Sequence, residues 1–169
     1  VTDDERQRLE AAKAESTLQL LFKCARLAND EALARVRQRT GSSVRASHTL
    51  LFPHVDLEGT RLTELARRLG LTKQAVGQLV EELEGMGILE RAPDPTDGRA
   101  KLVRFSRRGR RGLLEGLSLL AELERELARE IGSGRMTALA DALSRLLPVL
   151  EKRRQSAGEP VAERMSEIQ

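Results

Sequence analysis

The stretch LTELARRLGLTKQAVGQLVEELEGMG, residues 62–87, constrains the fold more than any other part of the chain. Two helical patterns adjoin in it, separated at Leu69-Gly70-Leu71-Thr72. Leu65, Ala66 and Leu69 form the inward set of the first helix, and Val76, Leu79, Val80 and Leu83 that of the second. Gly70 supplies a left-handed turn residue, and Thr72 is a good N-cap for the second helix. The small Ala66 falls where the two helices would cross. An ordinary helical hairpin shares the glycine and the apolar spacing. The small residue, the cap and a polar outer face together favour a helix-turn-helix.

That outer face is where chemistry would sit. With Val76, Leu79 and Leu83 turned inward, Lys73, Gln74, Gly77 and Gln78 fall on or near the exposed side of the helix start. A helix entering the major groove uses its N-terminal residues, where Gln can pair with adenine and Lys with guanine or phosphate. The positive end of the helix dipole favours phosphate as well. Gly77 is unexpected, since a glycine inside a helix costs about 1 kcal/mol relative to alanine. Close approach to DNA and tight packing against another helix are both open explanations.

After Gly87 the runs ILER and AKLVRFS flank PDPTDGR, residues 93–99. Proline and Asp-Gly both favour turns, so a β-hairpin with a longish loop is predicted, its tip ending in Arg99. Helix-turn-helix, strand, charged turn and strand together make a winged helix. Charge supports a phosphate-binding surface. Residues 61–111 hold twelve Lys and Arg against seven Asp and Glu, a net +5, while the remainder of the chain sums to −2.

The flanks read as helices. Residues 3 to about 38 predict one long helix with Leu18, Leu21, Phe22, Ala25, Ala32 and Val36 on one face. Leu20, Cys24 and Leu27 form a second stripe beside it. A helix apolar on two faces must bury both, which a partner chain would allow. Cys24, amid leucines, is expected to be a buried, inert thiol. A short helix is predicted over about 45–52, ended by Pro53. Ser106 is the expected N-cap of a leucine-rich helix that Gly132-Ser133-Gly134 breaks. A last helix follows, disturbed near its end by Pro148. The expected organisation is residues 1–42 as an N-terminal dimerisation helix, 43–111 as the winged helix-turn-helix lobe, 112–155 as C-terminal dimerisation helices, and 156–169 as a flexible tail.

Composition narrows the function. Three aromatics, Phe22, Phe52 and Phe105, make too small a stacking platform for single-stranded nucleic acid. No apolar run approaches the roughly 20 residues that span a bilayer. The chain opens on charged VTDDERQR, without a signal-like segment and without an initiating Met, so a trimmed N-terminus and a cytoplasmic protein are expected. His48 and His54 are the only histidines, and no ligand cluster or Ser-His-Asp arrangement is readable. Neither enzyme activity nor a cofactor or metal is expected. His48 is expected to be a surface or packing residue. The rival from another class is a winged-helix adaptor that binds protein, and the basic bias of residues 61–111 favours DNA over it.

TELARRLGLTKQAVGQLVEELEGMGILER and DPTDGRAKLVRFSRRGR together resemble the MarR-type transcriptional regulators, from about residue 45 through 111. The second piece is similar to that family's Asp-x-Arg-Asp-x-Arg wing followed by a strand and a Ser/Thr-x-x-Gly helix start. The resemblance implies a mainly α fold with a small β-wing and long terminal dimerisation helices. It implies a homodimer on double-stranded DNA with a roughly palindromic operator. Thr72, Lys73, Gln74 and Gln78 would enter the major groove, Arg99 would reach the minor groove, and Asp97 would orient the wing. Thr96 and Gln78 depart from the family, which often has Arg at both. Repression relieved by a small aromatic effector is also implied, in a pocket whose walls would include Phe22, His48 and Phe52. Some relatives sense oxidants through a cysteine in the first helix, which would be Cys24.

Overall fold

The computed structural model describes residues 1–158, and the side chains of residues 1–154. Seven α-helices and three strands follow in the order α1 (Asp3–Glu15), α2 (Thr17–Thr40), α3 (Ala46–Thr49), β1 (Thr60–Arg61), α4 (Leu62–Leu69), α5 (Lys73–Gly85), β2 (Leu89–Asp94), β3 (Asp97–Phe105), α6 (Arg107–Ile131) and α7 (Ser133–Gly158). A three-ten turn, Phe52–His54, lies between α3 and β1. The fold is mainly helical with a small antiparallel wing, as the sequence predicts. Contacts divide the chain into two units, Val1–Ala121 and Glu122–Gln169. None of the described helices is long and apolar enough to cross a membrane.

In the first unit, β1, β3 and β2 form an antiparallel sheet with β3 central. α4 and α5 pack Leu65, Val76, Val80 and Leu83 against Leu89, Val103 and Phe105 of that sheet. Full burial of side chains this size stabilises a fold by roughly 1.5–3 kcal/mol each. Phe52 tilts onto Phe105 with ring centroids 5.8 Å apart. The helix-turn-helix bend forms as the sequence requires. Gly70 adopts φ 67°, its N–H reaches the Arg67 carbonyl at 3.3 Å, and the Leu71 N–H reaches that of Ala66 at 3.1 Å. This is a Schellman closure, which an L side chain at Gly70 would strain.

The junction between the wing and α6 explains the Ser-x-x-Gly pattern. Ser106 Oγ accepts the Gly109 N–H at 2.9 Å, capping α6, and donates to the Gly87 carbonyl at 2.6 Å. A Cβ on Gly109 would lie 1.9 Å from the Ile88 carbonyl oxygen. Only glycine lets α6 start against the Ile88 backbone, between α5 and β2.

Four expectations for the helices need correction. The first helix is two, because Ser16 turns extended (ψ 109°) and its Oγ caps α2 by accepting the Gln19 N–H at 3.3 Å. The short helix spans only Ala46–Thr49, and Pro53 sits inside the three-ten turn, where a missing N–H costs nothing. Pro148 lies within α7, which continues to Gly158. Cys24, expected to be buried, is exposed on α2. Residues 159–169 of the expected tail lie outside the described residues.

Candidate DNA-binding face

α5 presents a bare polar start. Thr72 caps it, its Oγ1 accepting the Ala75 N–H at 3.2 Å, which leaves the hydroxyl proton free to donate outward. Lys73, Gln74 and Gln78 are exposed, while Val76, Val80 and Leu83 on the other face are fully buried. Among the described residues, no hydrogen bond or ion pair engages the side chains of Lys73, Gln74, Gln78 or Arg99. The arginines of α4 differ. Arg67 and Arg68 both clamp Glu64, whose carboxyl they hold down at about 2, and Arg68 also reaches Asp56 at 2.9 Å.

The wing tip is tighter than predicted. Pro95 and Thr96 make a two-residue turn between Asp94 and Asp97, in place of a long loop. The register then slips: Pro93 pairs with Lys101 but Asp94 with Asp97, so Gly98, Arg99 and Ala100 bulge from β3. Asp97 Oδ1 accepts the Arg99 N–H at 3.1 Å and so shapes the bulge. Arg99 itself projects into solvent.

Asp94, to which the sequence reading gave no role, does more than Asp97 to fix the tip. It is buried, and its Oδ1 accepts the Thr96 hydroxyl at 2.7 Å and the Thr96 N–H at 2.8 Å. Its Oδ2 accepts Arg61 Nε and Nη2, each at 2.7 Å. The two Thr96 hydrogen bonds, followed by Arg61, hold the Asp94 carboxyl down at about 2. Thr96 therefore works inside the turn. Arg61 ends β1, and the next residue, Leu62, opens α4 with its Cδ2 3.9 Å from the place a Cβ on Gly77 would occupy. Two adjacent residues thus tie the wing tip and the α5 start to one corner of the lobe.

The residues expected to line a pocket stand in different surroundings. His48 is fully buried. Its Nδ1 accepts the Arg45 N–H at 3.1 Å, which puts the ring proton on Nε2, 2.7 Å from Glu82 Oε2. Arg45 also pairs with Glu82, and the His48 hydrogen bond, then that of Arg45, lower the Glu82 carboxyl. His48 is thus neither a surface residue nor open to a ligand in this conformation; it links α3 to α5. Phe52 packs in the lobe core, and Phe22 is exposed on α2. Only the proximity of Asp94 to Asp97 hinted at the wing clamp, and nothing local announced His48–Glu82.

Residues 53–100 match the model of the MarR family. No curated protein matches the chain. Among solved structures, a transcriptional regulator from Thermotoga maritima is 25% identical with a TM-score of 0.55, over 80% of this chain and 94% of that one. A probable transcriptional regulator from Pseudomonas aeruginosa is 25% identical with a TM-score of 0.56, over 79% and 98%. CouR from Rhodococcus jostii RHA1, bound to p-coumaroyl-CoA, is 24% identical with a TM-score of 0.58, over 79% and 93%. CouR is also a transcriptional repressor seen bound to a 23-mer DNA duplex. Residues 53–100 thus resemble the MarR family, and the winged-helix fold is similar to that of solved transcriptional regulators.

Proposed function

We propose that this protein is a cytoplasmic, homodimeric repressor that binds a roughly palindromic double-stranded operator. The observation that carries the reading is the contrast within residues 61–101. Arg61, Arg67 and Arg68 are spent on carboxylates, whereas Lys73, Gln74, Gln78 and Arg99 are exposed and unengaged. Gln74 and Gln78 read base edges in the major groove, Thr72 and Lys73 hold phosphates, and Arg99 reads the negative potential of a narrow minor groove. The bare apolar faces of α2 and α6 supply the dimer contact. An aromatic effector, as CouR binds p-coumaroyl-CoA, completes the reading, with Phe22 as the aromatic surface open to it.

The test is binding to a duplex that the protein selects from a random-sequence pool, and to single-base variants of it, at two salt concentrations. Arg99→Ala and Lys73→Ala are expected to weaken every variant and to flatten the salt dependence, each by about one phosphate-equivalent charge. Gln74→Ala should instead change the ranking of variants, by about 1–3 kcal/mol at one position. A common weakening factor for Gln74→Ala at all positions would remove it from base reading.

A further inference from the structure

Gly77 is the fifth residue of α5, between the exposed Gln74 and Gln78. None of the structural reasons for a glycine applies to it. Its φ is not positive, it is not at a helix end, and a Cβ there would meet only Leu62 Cδ2, at 3.9 Å, an ordinary van der Waals contact. Alanine would therefore fit, improve helix propensity and gain a contact with Leu62. Gly109 shows what a packing glycine looks like in this protein, with a backbone oxygen 1.9 Å from its missing Cβ. Gly77 has no such neighbour. Positions that give up stability without a reason inside the fold are expected where something outside must fit.

We infer that Gly77 is a close-approach position, where the backbone of α5 lies against the DNA and a methyl group has no room. The inference rests on the DNA reading above and deepens it. Gln74 and Gln78 are i, i+4 neighbours on one face of the helix, and Gly77, three residues after Gln74, borders that face. Glutamine is shorter than arginine or lysine, and pairing both amide atoms with a base edge needs the helix seated deep in the groove. The missing side chain allows that seating. Leu62, which borders Gly77, follows the Arg61 that grips the wing tip, so the wing is anchored at the same corner.

The experiment compares the parent with Gly77→Ala on the duplex selected by the parent and on a scrambled duplex of equal length. The expected thermal midpoint of Gly77→Ala without DNA is higher by about 2–4 °C. Its affinity for the selected duplex is expected to fall about tenfold. On the scrambled duplex, held by phosphate contacts, the change should stay within about twofold. Equal affinity of both proteins for the selected duplex overturns the inference, as does a lowered thermal midpoint, which would mark Gly77 as a packing residue. A pool from which the parent enriches no sequence overturns the DNA reading and this inference together.

Discussion

The winged-helix lobe and the long helices use the same leucine-rich vocabulary to opposite ends. In the lobe, Val76, Leu83 and Phe105 are at most 1% exposed, and polar groups that enter the core, such as His48 and Asp94, arrive with their partners. On α2, α6 and α7, Phe22 is 63% exposed, Leu27 58%, Leu117 52% and Leu147 58%. The lobe closes its own core. The helices carry apolar stripes that stay exposed among the described residues. Exposed apolar stripes of this kind mark an interaction site, which the proposed reading assigns to a second copy of the chain, as it assigns DNA to the lobe.

The sharpest way to break that comparison is to delete one phenylalanine from each region. Phe105→Ala should cost about 3–5 kcal/mol in urea unfolding at every protein concentration, because it opens a cavity in a closed core. Phe22→Ala should leave the lobe's own unfolding unchanged to within about 0.5 kcal/mol. Its effect should appear only as a weaker concentration dependence of the midpoint, as loss of a dimer contact requires. Equal, concentration-independent losses from both would merge the two regions into one core.

A smaller effect sharpens the lobe's side of the comparison. Asp94 has an ordinary carboxyl value of 3.8 and is held at about 2 by Thr96 and Arg61. Because the folded value is the lower one, its contribution to stability is fully present above 3.8 and is lost as pH falls through about 2. The thermal midpoint of Asp94→Asn should therefore lie below that of the parent near neutral pH, with the gap narrowing over this acid window. A gap that does not change with pH would mean that Asp94 acts without its charge.

What could be read in the sequence was what depends on neighbours along the chain. Gly70, Thr72, Gly87 and Ser106 announce turns and caps within a few residues, and the helix-turn-helix and wing followed from them. Thr72, Lys73, Gln74, Gln78 and Arg99 were placed on exposed positions by the same local periodicity. The clamp of Arg61 on Asp94 spans 33 positions, and the pair His48–Glu82 spans 34. No local pattern encodes either. β1 was missed because two residues are too few to show alternation, and the Ser16 break because its neighbours on both sides favour helix. The helix through Pro148 shows local preference overridden by its context.

The central claim is that two lobes, held by the helices, read one DNA site together. The most direct measurement is the mass and footprint of the full chain on the duplex it selects. The account predicts a complex with two copies of the 18.8 kDa chain and two protected half-sites centred about 10 base pairs, one helical turn, apart. One copy of the chain on a single, unrepeated half-site would contradict it.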